Sequence, residues 1–146
     1  MSRMIFVNLP VADLPRAKAF YEAIGFTNNP QFTDETAACM VLTDAIYVML
    51  LTHEKYSQFT PKQIPDSHST AQMLLALSCD DRAGVDSITE AAIAGGGREA
   101  HEPEDLGFMY SRAFEDPDGH GWGPFFMDMT GFEAAQQAPV PEPTNA

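Results

Sequence analysis

Two stretches of this sequence, about seventy positions apart, follow the same order of apolar strand, capped amphipathic helix, glycine stop and further strands, and this repeat restricts the fold more than any single motif. In the first, Met4 to Val11 alternates so that Phe6, Asn8 and Pro10 share one face and Ile5, Val7 and Leu9 the other. Asp13 is placed to cap a helix carrying Leu14, Ala17, Phe20, Tyr21 and Ile24 at helical spacing. Pro15 is tolerated in its first turn, and Gly25 supplies a left-handed stop. Strands at 26–32, 36–42 and 45–52 follow, the last two joined through Thr43-Asp44. In the second stretch, Ala71 to Cys79 is again an apolar strand and Asp80 or Asp81 again a cap. Val85, Ile88 and Ala92 mark the helix face, and Gly95-Gly96-Gly97 ends it before strands at 98–102, 108–114 and 121–127. Asp13 and Asp81 stand 68 positions apart, and Gly25 and Gly95 stand 70 apart, so the copies keep register.

The pattern predicts an α+β fold of two βαβββ modules, residues 1–55 and 71–131, joined by a Pro-containing linker over 56–70. A disordered tail is expected over 132–146, where the Pro- and Gln-rich sequence offers no apolar period. A sheet with one helix covers only one of its faces, so two modules gain by curling their bare faces toward a shared cleft, which becomes the candidate site. With 146 residues, 45% of them hydrophobic, the chain is long enough for one cooperative core.

Composition narrows the partners. A formal charge of -13 repels a phosphate backbone, which argues against nucleic acid. No run approaches the ~20 apolar residues of a membrane span, and Met1-Ser2-Arg3 leads into a short strand without a signal-peptide core, so a cytoplasmic protein is expected. Cys39 and Cys79 sit in apolar stretches without metal-ligand spacing and read as buried thiols.

The turn Asp116-Pro117-Asp118-Gly119 links the last two strands: proline presets φ and glycine supplies a positive φ. With Val11-Ala12-Asp13-Leu14, Phe20-Tyr21, Gly25-Phe26, the Asp80-Asp81 helix and Phe114 to His120, residues 4–128 resemble the vicinal oxygen chelate superfamily of glyoxalase I, extradiol dioxygenases, fosfomycin-resistance and bleomycin-binding proteins. The wording of Ile5 to Val11 and of Gly107 to Tyr110 is similar to a bacterial subgroup labelled predicted lactoylglutathione lyases. The resemblance implies one divalent ion held by His or carboxylate side chains on the first and last strands of each module. Carried across, those positions fall at Phe6, near Leu50, near Leu74 and at Gly123, and none is a donor.

These features predict a metal-free cleft lined by Phe6, Asn8, Leu50, Leu74, Tyr110, Arg112, Gly123 and Phe125, holding a small, partly aromatic or amphipathic molecule with no cofactor and no assigned catalytic residue. Asn8 is the expected polar pocket residue. Arg112 either holds a carboxylate or oxyanion or pairs with a surface acid. His53, His68, His101 and His120 share no ligand spacing and read as surface and turn histidines. The alternative is a divalent-metal-dependent lyase or isomerase of glyoxalase type, or a ring-cleaving dioxygenase, with displaced ligands drawn from His101, Glu104 and His120. A structural or regulatory subunit without ligand is a third reading. The resemblance also implies a homodimer.

Overall fold

Asp13 and Asp81 cap their helices as the repeat predicts. The Asp13 carboxylate accepts the Arg16 N–H at 3.0 Å and starts α1 (Leu14–Ala23), and Asp81 accepts the Gly84 N–H at 2.7 Å and starts α3 (Arg82–Ala94). In this computed structural model, which describes residues 3–137, α1 follows β1 (Ile5–Val11) and precedes β2 (Thr27–Asn29), β3 (Ala37–Val41) and β4 (Ile46–Thr52). A short α2 (His53–Ser57) leads into the linker. The second module runs β5 (Leu74–Ser78), α3, β6 (Arg98–Asp105), β7 (Met109–Glu115) and β8 (Gly121–Met127), followed by α4 (Met129–Gln137). The fold is α+β, with mixed sheets ordered β1-β4-β3-β2 and β5-β8-β7-β6. In each, the first strand pairs in parallel with the last of its module and the other pairings are antiparallel. Among the described residues, no helix is long and apolar enough to cross a membrane. Cys39 is buried, Cys79 half-buried, and both are free thiols.

Three elements depart from the expected boundaries. The strand expected over 26–32 stops at Asn29, because Pro30 has no N–H for the ladder and Asn29 instead accepts the Gln31 N–H at 3.0 Å, turning Pro30–Phe32 into a 3-10 turn. Strand β6 runs on to Asp105 along the exposed sheet edge, with register shifts on either side of His101 and with Pro103 inside the second. Residues 132–137, expected as the start of a disordered tail, belong to α4: Asp128 accepts the Thr130 N–H at 3.1 Å, and Phe132 packs on Phe108 with ring centroids 5.5 Å apart. The rest of the expected tail, 138–146, lies outside the described residues.

The two modules share one apolar cluster. Leu9, Val11, Phe20, Tyr21 and Leu50 of the first meet Leu77, Ala92, Phe114 and Trp122 of the second. Aromatic rings fill the joint, with Phe20 and Phe114 6.2 Å apart and Tyr21 and Trp122 5.9 Å apart. Burying each of these side chains contributes about 1.5–3 kcal/mol. A polar network is set inside the apolar contact. The Tyr21 hydroxyl donates to Asp116 Oδ2 at 2.6 Å and accepts from Trp122 Nε1 at 3.0 Å, while Asp116 Oδ1 accepts the N–H groups of Asp118 and His120. Burial pushes the Asp116 carboxyl above the usual carboxylate range, and burial followed by the adjacent Asp116 charge pushes the Tyr21 hydroxyl well up. At the rim, Asp118 Oδ1 accepts the Ala12 N–H at 2.8 Å, and His120 Nε2 lies 2.7 Å from the Pro10 carbonyl oxygen, a contact that requires the proton on Nε2.

Two substitutions test this joint. Tyr21→Phe leaves the Asp116 Oδ2 acceptor and the Trp122 donor without a partner and is expected to lower unfolding free energy by about 1–3 kcal/mol in a urea titration; an unchanged midpoint would show that the network adds nothing. Gly119 holds φ +91°, and a Cβ there would lie 2.7 Å from the Ser67 and His68 backbone of the linker. Gly119→Ala is expected to cost about 1–3 kcal/mol and to raise proteolytic cutting of the linker, whereas a stable, uncut variant would contradict the close docking.

Candidate functional site

Strand alternation decides which expected site residues meet. On β1, Leu9 and Val11 enter the core, so Phe6 and Asn8 lie on the opposite, open face of the sheet. Phe6 is 45% exposed and its ring stacks on Tyr47 of β4, with centroids 4.4 Å apart and planes 15° from parallel. Asn8 donates from Nδ2 to the Phe6 carbonyl at 3.3 Å and leaves its side-chain oxygen free among the described residues. On β8, Trp122 is in the core, so Gly123 and Phe125 lie on the open face opposite Ala76 and Ser78 of β5. Leu74, at the start of β5, is 80% exposed. Phe6, Asn8, Leu74, Gly123 and Phe125 therefore all lie on open sheet faces.

Three expected site residues do not. Leu50 pairs with Leu9 and is fully buried in the core, so the β4 side chains on the face of Phe6 are Tyr47, Met49 and Leu51, of which Leu51 is itself covered. Tyr110 and Arg112 share the face of buried Phe114 and point to α3. The Tyr110 hydroxyl donates to Asp86 Oδ1 at 2.6 Å, and the Arg112 guanidinium reaches Asp86 at 3.2 Å, Glu90 at 2.9 Å and Glu99 at 2.9 Å. Hydrogen bonding to Glu99 leads the effects that hold this guanidinium well above its ordinary range. With three carboxylates on its fork, Arg112 is a brace between α3, β6 and β7 and has no donor face left for a ligand. Arg82 extends the brace, lying 5.0 Å over the Tyr110 ring and donating twice to Asp105, each at 2.8 Å. That pairing lowers the Asp105 carboxyl to about 2.

The donor set does not fit a divalent ion. The open faces offer Phe6, Met49, Leu74 and Gly123 at or beside the four positions where the superfamily pattern implies carboxylates or imidazoles, and a hard cation gives up its water only to such donors. Among the described residues, no group of three or more His, Cys, Asp or Glu is placed to hold a metal. The displaced ligands of the alternative reading are likewise separated. His120 is nearly buried against Pro10 at the joint, while His101 sits on the exposed edge strand with Nδ1 2.8 Å from the Glu102 carbonyl.

Sequence reasoning did not single out Tyr47, because its strand is apolar on both faces and gives no alternation to place it. It also missed the space at the module junction. A cavity of about 440 Å³ lies between the linker and the ends of β1, β5 and β8, and a second of about 380 Å³ lies beyond it, beside His53, His68 and Asp118. Of the expected site residues, only Leu74 lines the larger one.

Arg112→Ala strands Asp86, Glu90 and Glu99 around an emptied position. Because these acids are themselves partly exposed, we expect a loss of about 1–2 kcal/mol in chemical unfolding. Small-molecule binding at the open faces should be unaltered, and loss of binding without loss of stability would restore Arg112 to the site.

Known proteins place this architecture. Residues 3–42 match the family described as bleomycin resistance protein-like N-terminal. No curated protein matches the chain. Similar solved structures include a hypothetical protein from S. aureus, with 21% identity, TM-score 0.73, and 86% of this chain and 94% of that one covered. A glyoxalase/bleomycin resistance protein/dioxygenase family enzyme from Burkholderia phytofirmans PsJN is 20% identical, with TM-score 0.71 and coverage of 86% and 99%. The fosfomycin resistance protein FosX from Mesorhizobium loti is 18% identical, with TM-score 0.62 and coverage of 91% and 96%. The chain thus has the glyoxalase/bleomycin resistance fold, and its first module carries the sequence pattern of the bleomycin resistance protein-like N-terminal family.

Proposed function

We propose that this chain is a vicinal oxygen chelate superfamily protein, cytoplasmic and related to the lactoylglutathione lyase-labelled subgroup, that binds a small, partly aromatic molecule without a divalent ion. The observation that carries the reading is the open face itself. Its superfamily ligand positions hold apolar groups or glycine, and next to them lies an accessible aromatic plate made by Phe6 and Tyr47. A planar ligand gains by stacking on that plate, and Asn8 offers one polar contact at its edge. The function is binding or sequestration. Polarisation of two vicinal substrate oxygens, the reaction that a metal would serve in the lyase and dioxygenase alternatives, finds no donor set among the described residues.

Trp122 is a poor reporter for this site, being 3% exposed on the core side of β8. Ligand-observed NMR against a library of small aromatic compounds is the better test, with Phe6→Ala as the comparison. Hits should lose affinity by about tenfold in Phe6→Ala, consistent with one aromatic contact of roughly 1.5 kcal/mol. Turnover of hemithioacetals or catechols in the presence of Mn, Fe, Ni or Zn would overturn the reading in favour of an enzyme.

A homodimer belongs to the same proposal. Ile5 and Leu74, 59% and 80% exposed in one chain, lie near the start of the two edge strands β1 and β5, and a second copy is the economical cover for both. Light scattering after size exclusion should give twice the 16.0 kDa chain mass. A monomer at micromolar concentration would contradict the assembly.

A further inference from the structure

The larger junction cavity is separate from the open-face residues expected to bind a ligand, sharing with them only Leu74. One wall is the linker from Pro65 to Met73 with the start of β5, and the other is the end of β1 with the start of β8. Linker geometry keeps the space formed. Gly119 accepts the Ser67-His68 backbone against its α-carbon, and the Asp66 carboxylate accepts the His68 N–H at 3.0 Å.

What the walls present is decided by where their polar groups are already bonded. The Ser69 and Thr70 hydroxyls both donate to the Asp66 carbonyl, at 3.3 and 2.7 Å. His120 Nε2 is held by the Pro10 carbonyl, and Glu115 is paired with Arg98 Nε at 2.6 Å. Ser67, His68 and Gln72 add polar side chains to the linker wall, and the rest of the surface is hydrocarbon from Leu9, Pro10, Pro65, Met73 and Leu74, with Met73 half exposed so that it would lose water contact under a ligand. Tyr56 also lines the cavity, and its hydroxyl bonds no other described residue. Charge selects in the same direction. An anion approaches a protein of net charge -13, and a cation finds the one wall carboxylate of β7 already paired.

We propose that this cavity is a binding site for a neutral, predominantly apolar small molecule carrying a polar group that hydrogen-bonds the Tyr56 hydroxyl or the Ser67, His68 and Gln72 side chains of the linker wall. A volume of about 440 Å³ matches a ligand of one or two fused or linked rings, and the site recognises it by burial of carbon surface rather than by charge.

The test titrates the full chain with N-phenyl-1-naphthylamine, a neutral probe whose emission rises in apolar surroundings. Saturable binding of one probe per chain that survives Phe6→Ala is expected, any further probe lost in that variant belonging to the open face. Ala100→Phe on β6 and Ala71→Phe on the linker each fill the cavity from a different element and should each weaken binding by about tenfold or more, with circular dichroism confirming the fold. Phe6→Ala, which removes the open-face plate, should leave probe affinity within about twofold, so this site and the open-face site fail independently. Absence of saturable binding overturns the inference, as does binding that both filled variants leave unchanged.

Discussion

The contact on which the rest of the structure depends is the burial of Tyr21 against Asp116 and Trp122. A βαβββ module has one helix for one sheet face, and neither module here is large enough to close a core alone. Docking through the helix-covered sides lets Phe20, Tyr21, Phe114 and Trp122 complete a single interior. The polar network inside that interior sets its register. Tyr21 can satisfy both Asp116 and the indole N–H only when α1 lies at one height along β8, and the Ala12–Asp118 and Pro10–His120 bonds fix the same height from the rim. The turn Asp116-Pro117-Asp118-Gly119 is consequently a structural clasp, three of whose four residues have assigned work: Asp116 and Asp118 accept from the first module, and Gly119 receives the linker.

Once the helix sides are joined, chemistry is left to the open faces and the junction. The open faces are apolar where the fold family implies ligand donors, and an aromatic pair stands where an ion would need oxygen or nitrogen. The acidic residues that give the chain its charge are placed elsewhere. Asp86, Glu90 and Glu99 surround Arg112, and Asp105 holds Arg82, so several of the carboxylates serve to brace α3 onto its sheet rather than to bind a substrate.

Much of this was legible in the sequence where one residue type forces one local geometry. The two aspartate caps, the glycine stops, the Asp-Pro-Asp-Gly turn and the alternation of β1 and β8 all read correctly, and with that alternation the sheet face shared by Phe6 and Asn8 and the one shared by Gly123 and Phe125. Leu50 was misplaced because Val48 to Leu51 is apolar at every position, and alternation carries no phase when both faces are hydrophobic. Tyr110 and Arg112 were left with two possible faces, since strand period gives parity but not direction. The missing clue was Asp86 and Glu90, four apart on α3 and therefore on one side of that helix, ready to meet a cation on β7. The Tyr21–Asp116 bond spans 95 positions and left no local trace. Helix α4 was overlooked because the Pro-rich end of the chain dominated the reading of 132–137, although Met129 and Phe132 already stood at helical spacing.

Among the described residues the open sheet faces carry no set of metal-ligand donors, so a ligand bound there is expected to need no metal. Elemental analysis of the full chain, purified without chelator or affinity metal and then equilibrated with Mn, Fe, Ni or Zn before desalting, tests this most directly. The account predicts retention of far less than one ion per chain for each metal. One tightly held ion per chain, released by substituting residues of the open faces, would contradict it.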